Sequence, residues 1–148
     1  MAIPYVVRKK LDTTGEEKKE LWYAVAKTMQ EKGGINDEEF IKRIAQKTGF
    51  SPGVIEGLLS EIAEAIEFFL SYGFTVNLKK LGSFQTALTS KGFEHPAEVT
   101  PAEVNLSRVY FVANRKMTSR IRESGYYKVP FNSYLPKEFW EKEEKEDE

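Results

Sequence analysis

The spacing of hydrophobic positions changes along the chain, and each change predicts a different element. Residues 5–10 (YVVRKK) and 21–29 (LWYAVAKTM) are apolar-rich stretches whose Val, Tyr and Trp suit a pleated strand. Asp12-Thr13-Thr14-Gly15 and the charged run Glu16 to Glu20 separate them, which predicts a hairpin with a solvated loop. Helix competes for 16–30, because Glu, Lys, Leu and Ala favour it, but Trp22, Tyr23 and Val25 decide for strand. Past a break at Gly33-Gly34 the pattern becomes helical. Asn36 supplies an N-cap with Glu39 three residues on, and Phe40, Ile41, Ile44 and Ala45 form a stripe that ends at Gly49. Ser51-Pro52 opens a second helix, with a cap followed by proline at the first helical position. Its stripe of Ile55, Leu58, Leu59, Ile62, Ala65, Ile66, Phe69 and Leu70 runs for about five turns.

Beyond Gly73 the period drops to two. Phe74, Val76 and Leu78 alternate with Thr75, Asn77 and Lys79, predicting a strand from Phe74 onward. Leu81-Gly82-Ser83-Phe84 turns the chain into a second strand through Leu88. A mobile polar stretch, Thr89 to Glu98, is expected before strand returns at Val104, Leu106 and Val109 to Val112. A basic, helix-compatible segment spans Arg115 to Arg122. The segment 126–140 holds Tyr126, Tyr127, Phe131, Tyr134, Phe139 and Trp140, too many aromatics to leave in water. It is expected to dock on its own sheet, on a partner subunit or on another protein. Residues 141–148 are expected to be disordered. The organisation is therefore an N-terminal hairpin extension (1–34), a central domain (35–124) and an aromatic, then acidic, tail (125–148).

Composition narrows the chemistry. The 148 residues contain no cysteine and one histidine, His95, which leaves disulfides, thiolate nucleophiles, zinc sites and histidine triads without their groups. The ten glycines are scattered and form no phosphate-cradling loop. No metal, cofactor or catalytic residue is expected, and the chain does not read as an enzyme. No apolar run reaches bilayer length and the N-terminus lacks a signal-peptide layout, so a cytoplasmic protein is expected. The net charge of −1 hides an asymmetry: residues 141–148 carry six acids and two lysines. Without them, 20 basic residues face 17 acidic ones, a weakly basic body that permits binding to nucleic acid.

Three segments stand in a telling order: IKRIAQKTGFSPGVIEGLLSEIAEAI (41–66), GFTVNLKKLGSF (73–84) and VYFVANRKM (109–117). From Ile35 to about Arg122 the chain resembles the histone-like HU and integration host factor family. With the added N-terminal hairpin it resembles more closely the HU-like proteins of Bacteroidales. The resemblance implies an α+β, HU-like fold: a helix pair, an antiparallel sheet with an extended β-arm, and an intertwined homodimer. It further implies nucleoid-associated binding and bending of double-stranded DNA with little sequence preference. The wide apolar face of the second helix, with Leu58, Ile62, Ile66 and Phe69, is the expected dimer core, since a small domain cannot bury it alone.

Expected DNA contacts are Lys79 and Lys80 after the first sheet strand, and Arg115, Lys116, Arg120 and Arg122 in the basic segment. Lys91, His95 and Arg108 are expected on the arm. Pro96 lies nearest the place where family arms carry a proline that wedges between base pairs. Each has a plainer reading: a solvated strand edge, a soluble surface, a stiffened loop. The chain also departs from the family. Its arm sets Lys91, His95 and Arg108 against Glu94, Glu98 and Glu103, where the family arm is rich in arginine. Ala113-Asn114 stands where the family has Pro-Gly. The competing reading is an HU-fold interaction module that has lost DNA binding, with the tail as a contact for a protein partner.

Overall fold

A computed structural model of the protein describes residues 1–15, 17–28 and 34–142. The expected end of the second strand at Met29, the break at Gly33, the loop position Glu16 and the disorder expected for 143–148 lie outside the described residues. The chain divides into two compact units, one formed by Met1–Gly34 with Ile121–Glu148 and the other by Ile35–Arg120.

The terminal unit is built on a hairpin. β1 (Ile3–Asp12) pairs antiparallel with β2 (Lys19–Ala26), with Tyr5 opposite Ala26 and Asp12 opposite Lys19. At the start of the turn the Asp12 carboxylate accepts bonds from the Thr14 amide and hydroxyl at 3.0 and 2.6 Å. Those two bonds hold its pKa below the ordinary carboxylate value. The third strand comes from far along the chain. Residues Tyr126–Lys128 pair parallel with β1, Ile3 opposite Tyr126, giving the order β2, β1 and the late strand. The expected docking of the aromatic segment is thus, in this unit, onto its own sheet. Val6 and Val129 are buried, and Trp22 meets Phe139 edge-on at 5.3 Å between ring centroids.

The central unit begins with α1 (Asp37–Thr48), and its caps are those its sequence announces. The Asn36 side chain accepts from the Glu39 amide at 2.9 Å, and Gly49 closes the helix at φ 77° with its amide on the Ala45 carbonyl. α2 (Pro52–Ser71) starts from the Ser51 cap. Its end corrects one expectation. Phe74 does not open a strand: its amide bonds the Phe69 carbonyl and the Gly73 amide bonds that of Leu70, with Gly73 at φ 82°. The ring of Phe74 lies 6.4 Å from that of Phe69. This is the six-to-one closure with its hydrophobic contact that ends many helices, and it uses the first apolar residue of the alternating run. Strand begins only afterwards, as β3 (Val76–Leu78).

β3, β4 (Gly82–Thr89) and β5 (Asn105–Ala113) form an antiparallel sheet in that order, with Val76 opposite Phe84 and Phe84 opposite Phe111. Gly82 sits at the corner at φ 151°. A Cβ there would lie 2.1 Å from the Val112 carbonyl oxygen, so only glycine lets β3, β4 and β5 meet. The β4–β5 ribbon ends where the polar stretch expected from Thr89 begins. Pairing ends at Thr89 opposite Asn105, after an irregularity at Ala87/Leu88, and residues 90–104 leave the ribbon. A repeated Pro-Ala-Glu-Val explains the change: Pro96–Glu98 and Pro101–Glu103 each make a 3₁₀ turn, with proline removing the amide a ladder needs.

A chain of this length ordinarily buries more than this one does. The buried hydrophobic residues among those described are Val6, Ile41, Ile55, Leu70 and Val129. Leu58 is 52% exposed, Ile62 47% and Phe69 47%, and Ile66 is half-buried. Between α2 and the sheet an open groove of about 760 Å³ is lined by Ala63, Ile66, Leu70, Phe84, Leu106 and Val109, among others.

Candidate nucleic-acid interface

Two basic pairs of the central unit, Lys79-Lys80 and Arg115-Lys116, are joined through one side chain. After β5, Asn114 precedes the last helix, α3 (Arg115–Arg122). Its Oδ1 accepts from the Met117 amide at 3.0 Å, and its carbonyl accepts from the Thr118 amide at 3.0 Å, the bonds of an N-cap residue. Its amide bonds the Leu81 carbonyl at 2.9 Å, while Nδ2 donates to the Lys79 carbonyl. One residue therefore fixes the Lys79-Lys80 turn, between β3 and β4, against the start of α3, where Arg115 and Lys116 stand. Lys79, Lys80, Arg115 and Lys116 are all exposed.

The local electrostatics call for an anion. Arg115 and Lys116 occupy the first turn of α3, no acidic residue joins them, and the helix dipole already places positive charge there. Arg120 follows Lys116 by four residues, on the same helix face. No residue of α3 is buried, so packing offers little to offset this repulsion.

The acids of the unit lie elsewhere in the chain: Asp37, Glu38, Glu39, Glu56, Glu61, Glu64 and Glu67 on the helix pair, and Glu94, Glu98 and Glu103 between β4 and β5.

The outer face of the sheet adds polar groups. Strand alternation sets Asn77, Ser83, Gln85, Tyr110 and Arg108 on the face opposite Phe84 and Phe111. Ser83 bonds Asn77 at 2.6 Å, Tyr110 donates to Gln85 at 3.0 Å, and the Arg108 guanidinium lies 5.6 Å from the Tyr110 ring centre.

The residues singled out from sequence are thus not all gathered. Lys79, Lys80, Arg115, Lys116 and Arg120 belong to the junction that Asn114 organises. Arg108 lies on the outer sheet face. Lys91, His95 and Pro96 are exposed on the 90–104 segment, beyond the end of the ribbon, and Arg122 belongs to the terminal unit. Sequence reading treated Asn114 only as a departure. Its signal was present, since asparagine ahead of a helix and three residues before Met117 is a cap pattern. The bond to Lys79 carried no such signal. Among the described residues no cluster of histidine, aspartate and glutamate is placed to hold a metal ion, and no helix is long and apolar enough to cross a membrane.

Comparison with known proteins gives a family and similar solved structures. Residues 1–128 match the family model HU-HIG, described as an HU domain fused to a wHTH, Ig or glycine-rich motif. A solved structure from Bacteroides vulgatus ATCC 8482, described as a candidate bacterial DNA-binding protein, superposes with a TM-score of 0.60 at 13% identity. The match covers 86% of this chain and 48% of that one, so the chain spans about half the length of that protein. No curated protein matches the chain.

Proposed function

Since the chain belongs to the HU-HIG family, we propose that it is a nucleoid-associated protein that binds and bends double-stranded DNA with little sequence preference. The family assignment supports a nucleic-acid-binding role, and HU-domain proteins are non-enzymatic. The observation that carries the reading is the Asn114 junction, which ties two basic pairs, Lys79-Lys80 and Arg115-Lys116, into one anion-seeking surface. Phosphates are the fitting partner, because their neutralisation by Lys and Arg releases condensed counterions and requires no base sequence.

The working form is a homodimer in which Leu58, Ile62, Ile66 and Phe69 of two subunits cover each other. Each such side chain removed from water contributes roughly 1.5–3 kcal/mol. The two basic junctions then flank the duplex, Arg120 and Arg122 extend them, and Arg108 lines the sheet face toward it. Lys91, His95 and Pro96 approach the groove from the 90–104 segments, with Pro96 as the wedge. The protein acts in the cytoplasm, on the nucleoid, without cofactor or metal.

A second reading is favoured by one observation. The segment from Ser90 to Val104 carries Glu94, Glu98 and Glu103 against Lys91 and His95, a poor charge balance for entering a groove. On that reading the chain is an HU-fold interaction module, with the exposed Tyr126 and Tyr127 as part of its protein contact.

Fluorescence anisotropy at low salt, with linear and kinked duplexes, separates the two. Salt-sensitive binding that Arg115→Glu/Lys116→Glu abolishes supports the DNA reading. Absence of binding to either duplex rejects it and leaves the interaction module.

A further inference from the structure

The terminal sheet has two unlike faces. Strand pairing puts Tyr5, Val7 and Trp22 on one side, where Phe131, Leu135 and Phe139 of the late segment close over them around a hollow of about 430 Å³. The alternation of β1 and β2 sends Arg8 and Lys10 to the other side. There Arg8 is opposite Tyr23 and Lys10 opposite Leu21, with Lys27 in line beyond Val25. Arg8, Lys10, Tyr23 and Lys27 are all exposed. Two ion pairs lie nearby, Lys9 with Glu20 at 2.8 Å and Lys19 with Glu17 at 3.5 Å. Neither involves Arg8, Lys10 or Lys27, which have no ion-pair partner among the described residues.

This face is also concave at one end. Val6, Val25 and Tyr134 shape a hollow of about 380 Å³ flanked by Arg8 and Lys27, and among the described residues no carboxylate lines it. At the far end of the face Asp12 is engaged by Thr14, and Glu17 by Lys19. Cations at alternate positions of one strand stand about 6.8 Å apart. An exposed tyrosine ring lies across from the first of them. A row of cations beside an aromatic platform is complementary to a flexible chain of phosphates whose bases are free to stack. A duplex keeps its bases stacked inside and gives the ring nothing to hold.

We infer that this open face of the terminal sheet is a binding site for a single nucleic-acid strand, with Arg8, Lys10 and Lys27 on its phosphates and Tyr23 against a base. The site is separate from the Asn114 junction and stands or falls independently of duplex binding there.

The full-length protein is titrated at low salt with fluorescein-labelled oligothymidylate, and separately with a duplex of equal length. Arg8→Gln/Lys10→Gln, which keeps the strand and removes its charge, should weaken oligothymidylate binding about tenfold. Tyr23→Leu should weaken it roughly tenfold while Tyr23→Phe retains it, because the ring and not the hydroxyl stacks. Arg115→Glu/Lys116→Glu should leave it within about twofold of wild type while removing duplex binding. Near-ultraviolet circular dichroism of Trp22 and Trp140 reports whether each variant keeps the sheet. Oligothymidylate binding that Arg8→Gln/Lys10→Gln leaves unchanged, or no such binding by the wild type, overturns the inference. Loss of duplex binding alone leaves it standing.

Discussion

The hydroxyl oxygen of Tyr134 accepts a hydrogen bond from the Val7 amide at 3.0 Å, joining residues 127 positions apart. It continues a ladder that the backbone abandons. The Val129 amide still bonds the Tyr5 carbonyl at 2.9 Å, and the next outward donor of β1 is Val7. A phenol takes the place of a carbonyl there. Tyr134→Phe should therefore cost about 1 kcal/mol and leave the ring packing intact. Hydrogen exchange at the Val7 amide should rise. Unchanged protection at Val7 would show that another acceptor serves it.

Gly82 admits no side chain. Gly82→Ala drives a Cβ into the Val112 carbonyl and the Phe111 ring and should destabilise by about 4 kcal/mol or more, read by urea unfolding. Gly92→Ala is the control. Nothing lies within 4 Å of a Cβ there, and its effect should stay within about 0.5 kcal/mol.

Asn114 combines a cap with a tether, and the two are separable. Asn114→Ser keeps a capping oxygen but has no amide to reach Lys79. Asn114→Ala loses both and should cost α3 about 1 kcal/mol. Amide exchange at Met117 should increase in Asn114→Ala only. Duplex affinity should fall severalfold in both variants, because the side-chain tether that fixes the Lys79 carbonyl beside α3 is then lost. If Asn114→Ser binds duplex like the wild type, the tether is irrelevant to binding.

The exposed stripe of α2 predicts an assembly. Light scattering should give twice the chain mass for the wild type, and Leu58→Asp/Ile62→Asp should give single chains or unfolded material. A charged variant that remains a folded dimer would place the subunit contact elsewhere.

Salt should expose the phosphate contacts directly. Each neutralised phosphate contributes roughly 0.9 to the slope of log affinity against log salt for B-form DNA. Lys79→Gln/Lys80→Gln should therefore lower the slope by about 2 and weaken all sequences alike. A flat salt dependence in the wild type would contradict the phosphate model.

The helix pair was legible because its limits are local chemistry: Asn36 with Glu39, Gly49, and Ser51 before Pro52 each act within one turn. Phe74 was misread for the same reason in reverse, since its alternation with Val76 is real but Phe69 claims it first. The strand at Tyr126–Lys128 could not be read from three residues, because a parallel partner 123 positions away in sequence decides it. Asn114 was half legible, its cap local and its hold on Lys79 35 residues distant. The limits of the β4–β5 ribbon were legible, since strand was expected through Leu88 and again from Val104, and Pro96 and Pro101 keep the residues between off the ladder.

The late strand also sets an order of events in the living cell. A ribosome delivers Ile3 to Ala26 before Tyr126–Lys128, and that hairpin emerges with one flank of β1 open. Its neighbour, Tyr126–Lys128, and the phenol of Tyr134 follow only after the whole central unit has been made. Until those residues are made the nascent chain exposes a bare strand edge, a surface on which other unfinished chains can pair. The charged residues Arg8, Lys9 and Lys10, so close to that edge, discourage such pairing until the chain's own Tyr126–Lys128 arrives.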